Sequence, residues 1–85
     1  GAVQAYRKGR ELTTAQGKEK EAKEALSAAI EKYERHASAY ERRGYVNFLL
    51  KNYADALYDY SKSIDLNPNN AEPYLGRAIV KMVQQ

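Results

Sequence analysis

The sequence predicts an all-α fold built from antiparallel helix-turn-helix repeats, about two and a half of them in five helices. Three observations predict it. Thirteen alanines and only two prolines among 85 residues favour helix over strand. Tyr6, Tyr40 and Tyr74 stand at equal intervals, and the same offset relates Ala5 to Ala39, Ala22 to Ala56, Ile30 to Ile64, and Leu12 to Val46 and Val80. A fixed period of that length marks a supersecondary unit that recurs and stacks on its copies. Finally, each full unit holds two stretches whose apolar residues recur at helical spacing.

The units run 3–36, 37–70 and, in part, 71–85, all within one domain. In the first, Ala5, Tyr6, Leu12 and Ala15 form the apolar stripe of a helix reaching about Gln16, and Gly17 ends it by taking a positive φ. A second helix follows, with Ala22, Ala25, Leu26, Ala29, Ile30 and Tyr33 on one face. The second unit is expected to fold as Tyr40 to Leu50 and Tyr53 to Leu66, with Lys51 and Asn52 between them. Asn67-Pro68-Asn69-Asn70 then stops the chain, because Pro68 lacks an N–H and restricts the residue before it. Asn69 and Glu72 are spaced as a capping box, Pro73 fits a first turn, and a last helix runs from about Ala71 to Val83.

Tyr40, Gly44, Tyr53, Ala56, Tyr60, Ile64 and the Asn67-Pro68-Asn69-Asn70 stop, set within that period, resemble a tetratricopeptide repeat (TPR). The second unit matches best and the third over its first helix. The first is degenerate, with Gly9 and Arg10 where the family has a large apolar then a small residue, and Glu34 in place of the proline. The resemblance implies a short right-handed TPR array, expected to be part of a longer protein, with first helices on a concave face and second helices on the convex side. Small residues at Gly44, Ala56 and Ala78 are expected to let helices approach, and Tyr6, Tyr40, Tyr60 and Tyr74 to fill the core.

Composition removes several classes of chemistry. The chain has no cysteine and a single histidine, His36, which excludes a disulfide framework and a thiolate metal site and makes a histidine-based one implausible. His36 reads as a turn or capping residue. No nucleophile-base order or glycine-rich phosphate loop is present. Asp55, Asp59 and Asp65 read as a solvated convex surface. The expectation is therefore no enzyme, no cofactor and no metal. A net charge of +3 is too small to indicate nucleic acid, and no apolar run is long enough for membrane insertion. An intracellular, cytoplasmic setting is expected.

What remains is binding. By the resemblance, the concave lining comes from Arg7, Lys8 and Glu11 with Thr14 in the first unit, Glu41, Arg42, Tyr45 and Phe48 in the second, and Leu75, Gly76, Ile79 and Met82 in the third. Tyr45 and Phe48 are the expected anchors, since aromatic residues dominate binding hot spots. First helices carry a net positive charge and second helices a net negative one, which suggests a groove for an acidic peptide with apolar anchors. Family members that act as co-chaperones clamp a chaperone's C-terminal carboxylates. The matching positions here are Arg7, Glu11, Arg42, Glu72 and Gly76, whose two glutamates predict no such carboxylate clamp. The leading expectation is a protein-protein interaction scaffold. The alternative is self-association as a homodimer through the open C-terminal edge, at Ile79, Val80 and Val83.

Overall fold

The computed structural model describes residues 1–10 and 17–84 in full and residues 11–14 as backbone. Among them are five helices: α1 (Ala2–Thr14), α2 (Glu19–Lys32), α3 (Ala37–Leu49), α4 (Tyr53–Leu66) and α5 (Glu72–Gln84). α1 packs on α2 and α3 on α4; α2 also lies against α3, and α4 and α3 against α5. Stacking of this kind gives a flat, elongated body of 37 × 29 × 17 Å. The expected stops at Ala15 and Gln16, and the side chains of Glu11, Leu12 and Thr14, lie outside the described residues.

Burial follows the helical spacing read from the sequence. Ala22, Leu26, Ala29 and Ile30 from α2 meet Ala39, Tyr40 and Val46 from α3, with Ala5 and Tyr6 closing one side. Ala56 and Tyr60 from α4 meet Val80 from α5. Alanine is the common element because close helix approach leaves no room for more than a methyl. Three positions expected inside are not. Tyr33, set on the apolar face of the second helix, lies just past the end of α2 and is 55% exposed. Tyr74 is 42% exposed, and Ala78 is exposed too, since among the described residues no helix covers that side of α5. Val80, assigned from sequence to an open edge, is instead fully buried.

The turns repeat as closely as the helices. Gly17 has φ +85°, and Lys51, at the equivalent place in the second unit, has φ +64°. At Lys51 the end of α3 is closed by two backbone bonds, Lys51 N–H to the Phe48 carbonyl (3.0 Å) and Asn52 N–H to the Asn47 carbonyl (2.8 Å). That pattern needs a left-handed residue, which glycine adopts freely and lysine only with a steric penalty. Lys51→Gly is therefore expected to stabilise the chain by about 1 kcal/mol. A rise in the urea midpoint with unchanged slope would show it, and a fall would contradict it.

The junctions between units match too, although only one contains proline. Tyr33 and Asn67 are both extended, and their N–H groups bond the carbonyls of Ala29 and Ser63. His36 caps α3: its Nδ1 accepts from the Ala39 N–H at 3.4 Å, and its ring lies 4.8 Å from that of Tyr6. Burial holds the imidazole below its usual pKa, which favours the unprotonated nitrogen the cap requires. At α5 the cap differs from expectation. Glu72 N–H donates to Asn70 Oδ1 (3.2 Å), while Asn69 N–H turns back to Asn67 Oδ1. Pro73 sits buried in the first turn of α5, as expected.

Candidate functional site

Between α3 and α5, with α4 behind, lies an open cleft of about 180 Å³ lined by Glu41, Tyr45, Phe48, Tyr60, Glu72, Leu75, Gly76 and Ile79. Its geometry starts from Tyr60. The ring lies flat against α3 at Gly44, where a Cβ would sit 3.1 Å from it, and beneath α5 at Gly76, where a Cβ would overlap it. With neither residue carrying a side chain there, the helices part around an aromatic floor. Tyr45 and Phe48 rise from α3 and Leu75 and Ile79 from α5, one helical turn apart in each case. Phe48 is braced by Tyr53 of α4, the ring centres 5.9 Å apart.

Six of the twelve lining residues named from sequence thus come together: Glu41, Tyr45, Phe48, Leu75, Gly76 and Ile79. The others do not join them. Arg7 and Lys8 are exposed on α1, Met82 lies outside the cleft at 70% exposure, and Glu11 and Thr14 are outside the described side chains. Arg42 is half-buried beside the cleft, and its buried Nε has no hydrogen-bond partner among the described residues.

The charge of the cleft also differs from expectation. Its lining holds two carboxylates, Glu41 and Glu72, and no cation. Burial holds the Glu41 carboxyl above the usual carboxylate range, and the neighbouring Glu72 pushes the same way, against the opposing pull of Arg42 and Arg10. The basic residues counted as concave are engaged elsewhere. Arg43 donates from Nε and Nη2 to both oxygens of Asp59, at 2.9 and 2.7 Å, and Asn47 Nδ2 adds a third bond at 2.8 Å. Arg77 likewise turns to α4, where it meets Ser61.

Asp59 is therefore not the solvated surface group that its charge suggested: it is 1% exposed. A signal for this was present, since Ala56, Asp59, Tyr60, Ser63 and Ile64 share one helical face and all are buried. A larger cleft of about 300 Å³ lies over the pair, lined by Lys23, Arg43, Asn47, Asp55, Tyr58 and Asp59. Arg43 and Asp59 at its base are already paired with each other, whereas the α3–α5 cleft is lined mainly by apolar surface. Among the described residues no group of three acidic or histidine side chains is placed to hold a metal ion. Among them, too, no helix is long and apolar enough to cross a membrane.

Comparison with known proteins agrees with this architecture. Residues 37–70, the unit that contains α3 and α4, match the family model described as tetratricopeptide repeat. Two relatives, both described as Protein SGT1 homolog, come from Bos taurus and Homo sapiens. Each is 41% identical over 56 residues, which is 66% of this chain. The chain spans only 17% and 15% of their lengths. Helix pairs, turns and junctions recur in one register around the matched unit, and residues 37–70 form a tetratricopeptide repeat.

Proposed function

We propose that the chain is a protein-protein interaction module that takes up a peptide segment in the α3–α5 cleft. The observation that carries this reading is an exposed apolar cleft with an aromatic floor and four apolar walls on two rigid helices. Pre-formed walls lower the entropy cost of ordering a bound segment. In place of the acidic ligand suggested by total charge, the lining favours a segment whose apolar side chain enters the cleft beside a basic one. A ligand cation near Glu41 and Glu72 would relieve their mutual repulsion and pair with both. The same two carboxylates act against a carboxylate clamp.

Selection from a random peptide library displayed on phage, followed by calorimetry of the recovered peptides, tests the proposal. Enriched sequences are expected to hold a large apolar residue next to lysine or arginine. Tyr45→Ala with Phe48→Ala is expected to weaken them at least tenfold, because an anchor side chain contributes about 2 kcal/mol or more. Circular dichroism should remain helical. Binding that survives the double substitution would move the site elsewhere. Enrichment of aspartate and glutamate would keep the cleft and reverse its charge preference.

A further inference from the structure

The Tyr60 ring lies lengthwise across the floor of the α3–α5 cleft. Its inner part meets α3, where a Cβ at Gly44 would stand 3.1 Å from Cδ1 and Cε1. Its tip meets α5, where a Cβ at Gly76 would stand 2.8 Å from the hydroxyl oxygen. Gly76 lines the cleft, so the phenol end of the ring is the part that lies beside the α5 wall. Tyr60 is only 4% exposed, yet its hydroxyl makes no hydrogen bond with any of the described residues. Glu41 and Glu72 line the same cleft without bonding it.

Packing alone does not call for that oxygen. One repeat earlier the same position is Leu26, which is fully buried against Gly9. An aliphatic side chain is therefore enough to fill such a site between helices. A buried polar group normally has a partner, and one left unpaired loses its hydration without return. Burial, reinforced by the nearby Glu41, holds the Tyr60 pKa above its usual value, so the oxygen keeps its proton and remains a donor. While the cleft is open, water reaches this donor. A segment whose apolar side chain fills the cleft excludes water and must supply an acceptor in its place.

We propose that the Tyr60 hydroxyl donates a hydrogen bond to an uncharged carbonyl oxygen of the bound peptide, next to the apolar side chain that enters the cleft. This contact rests on the cleft being the peptide site proposed above. The lining selects the acceptor. A ligand carboxylate would approach Glu41 and Glu72, and like charges repel in a partly desolvated site. A ligand N–H or ammonium has those two carboxylates to bond, and they are stronger acceptors than a phenol. An uncharged carbonyl can pair only with a donor, and the lining has two hydroxyls to offer. That of Tyr45 belongs to a side chain 38% exposed on the wall, where water competes with the ligand; that of Tyr60 lies in the floor.

Tyr60→Phe removes the oxygen and keeps the ring. Calorimetry with the tightest peptide recovered from the phage selection is expected to show a loss of affinity of about five- to tenfold. The urea midpoint should stay level or rise, because the free chain gives the hydroxyl no partner; a fall would overturn the proposal. So would equal affinity of the wild-type and Tyr60→Phe chains. Ester substitution of one peptide amide at a time weakens the main-chain carbonyls in turn, and leucine in place of asparagine or glutamine removes the side-chain ones. One such change is expected to weaken binding to the wild-type chain and leave binding to Tyr60→Phe unaltered, which identifies the source of the carbonyl. If none does, the hydroxyl has no carbonyl partner and the proposal fails. The chain with Tyr45→Ala and Phe48→Ala separates this contact from the cleft. If it binds the peptide as the wild type does, or if the selection recovers no peptide, the cleft is not the site and the contact falls with it. If it loses the peptide while Tyr60→Phe retains full affinity, the cleft stands and the hydroxyl contact alone is wrong.

Discussion

Replacing Asp59 with alanine is expected to remove about 3–5 kcal/mol of folding stability, the usual result of breaking a buried ion pair from one side. The carboxylate is 1% exposed and accepts three hydrogen bonds, two from Arg43 and one from Asn47. Alanine would leave the Arg43 guanidinium in place without its counter-charge and the Asn47 amide without its acceptor. The attraction of Asp59 already holds the Arg43 pKa above its usual value despite the opposing effect of burial. A domain of this length has only about 4–13 kcal/mol in total, so the loss is a large share of its stability. Urea denaturation followed by circular dichroism measures the loss. Replacing both partners, as Arg43→Met with Asp59→Leu, should cost less than Asp59→Ala alone, because it removes the desolvated charges together. If Asp59→Ala costs under about 1 kcal/mol, the pair behaves as a surface salt bridge and the structural account of it is wrong.

That pair also shows where the sequence was legible and where it was not. Helix α4 lies at the residues its spacing predicted, Gly17 takes the positive φ, and His36 caps a helix. Each of these depends on local chemistry and on period. The sign of the cleft depends instead on which neighbour each charge meets. Arg43 and Arg77 belong to first helices, but their side chains reach toward second helices. Glu41 and Glu72, separated by much of a repeat, meet at one rim. Net charge per helix therefore gave the wrong polarity for the cleft. Val80 was misplaced for a related reason: an apolar last helix must bury one face, and spacing alone does not say which residues that face includes. The apolar walls were legible through the resemblance, which assigns first-helix positions to the concave side; of the four, only Tyr45 and Ile79 stand one period apart.

Tyr60→Ala should cost a further 3–5 kcal/mol or so, and it connects stability to the cleft directly. The ring is 4% exposed, lies against Gly44 and Gly76, and packs with Ala56 and Val80. Its removal leaves a cavity that two backbones would have to close. Tyr60→Leu should lose less, since the equivalent position of the first unit is Leu26, which fills its own site against Gly9 with no exposed surface. Gly76→Ala works in the opposite direction. Its new methyl overlaps the Tyr60 ring, and overpacking of this kind costs about 1–3 kcal/mol while displacing the floor of the cleft. The three variants separate two roles of one side chain. Tyr60→Leu should retain much of the stability yet bind a selected peptide less well, because the floor becomes shallower and loses its aromatic face. Should peptide affinity instead follow the fraction folded in all three, Tyr60 serves the core alone, and the walls formed by Tyr45, Phe48, Leu75 and Ile79 must account for binding without it.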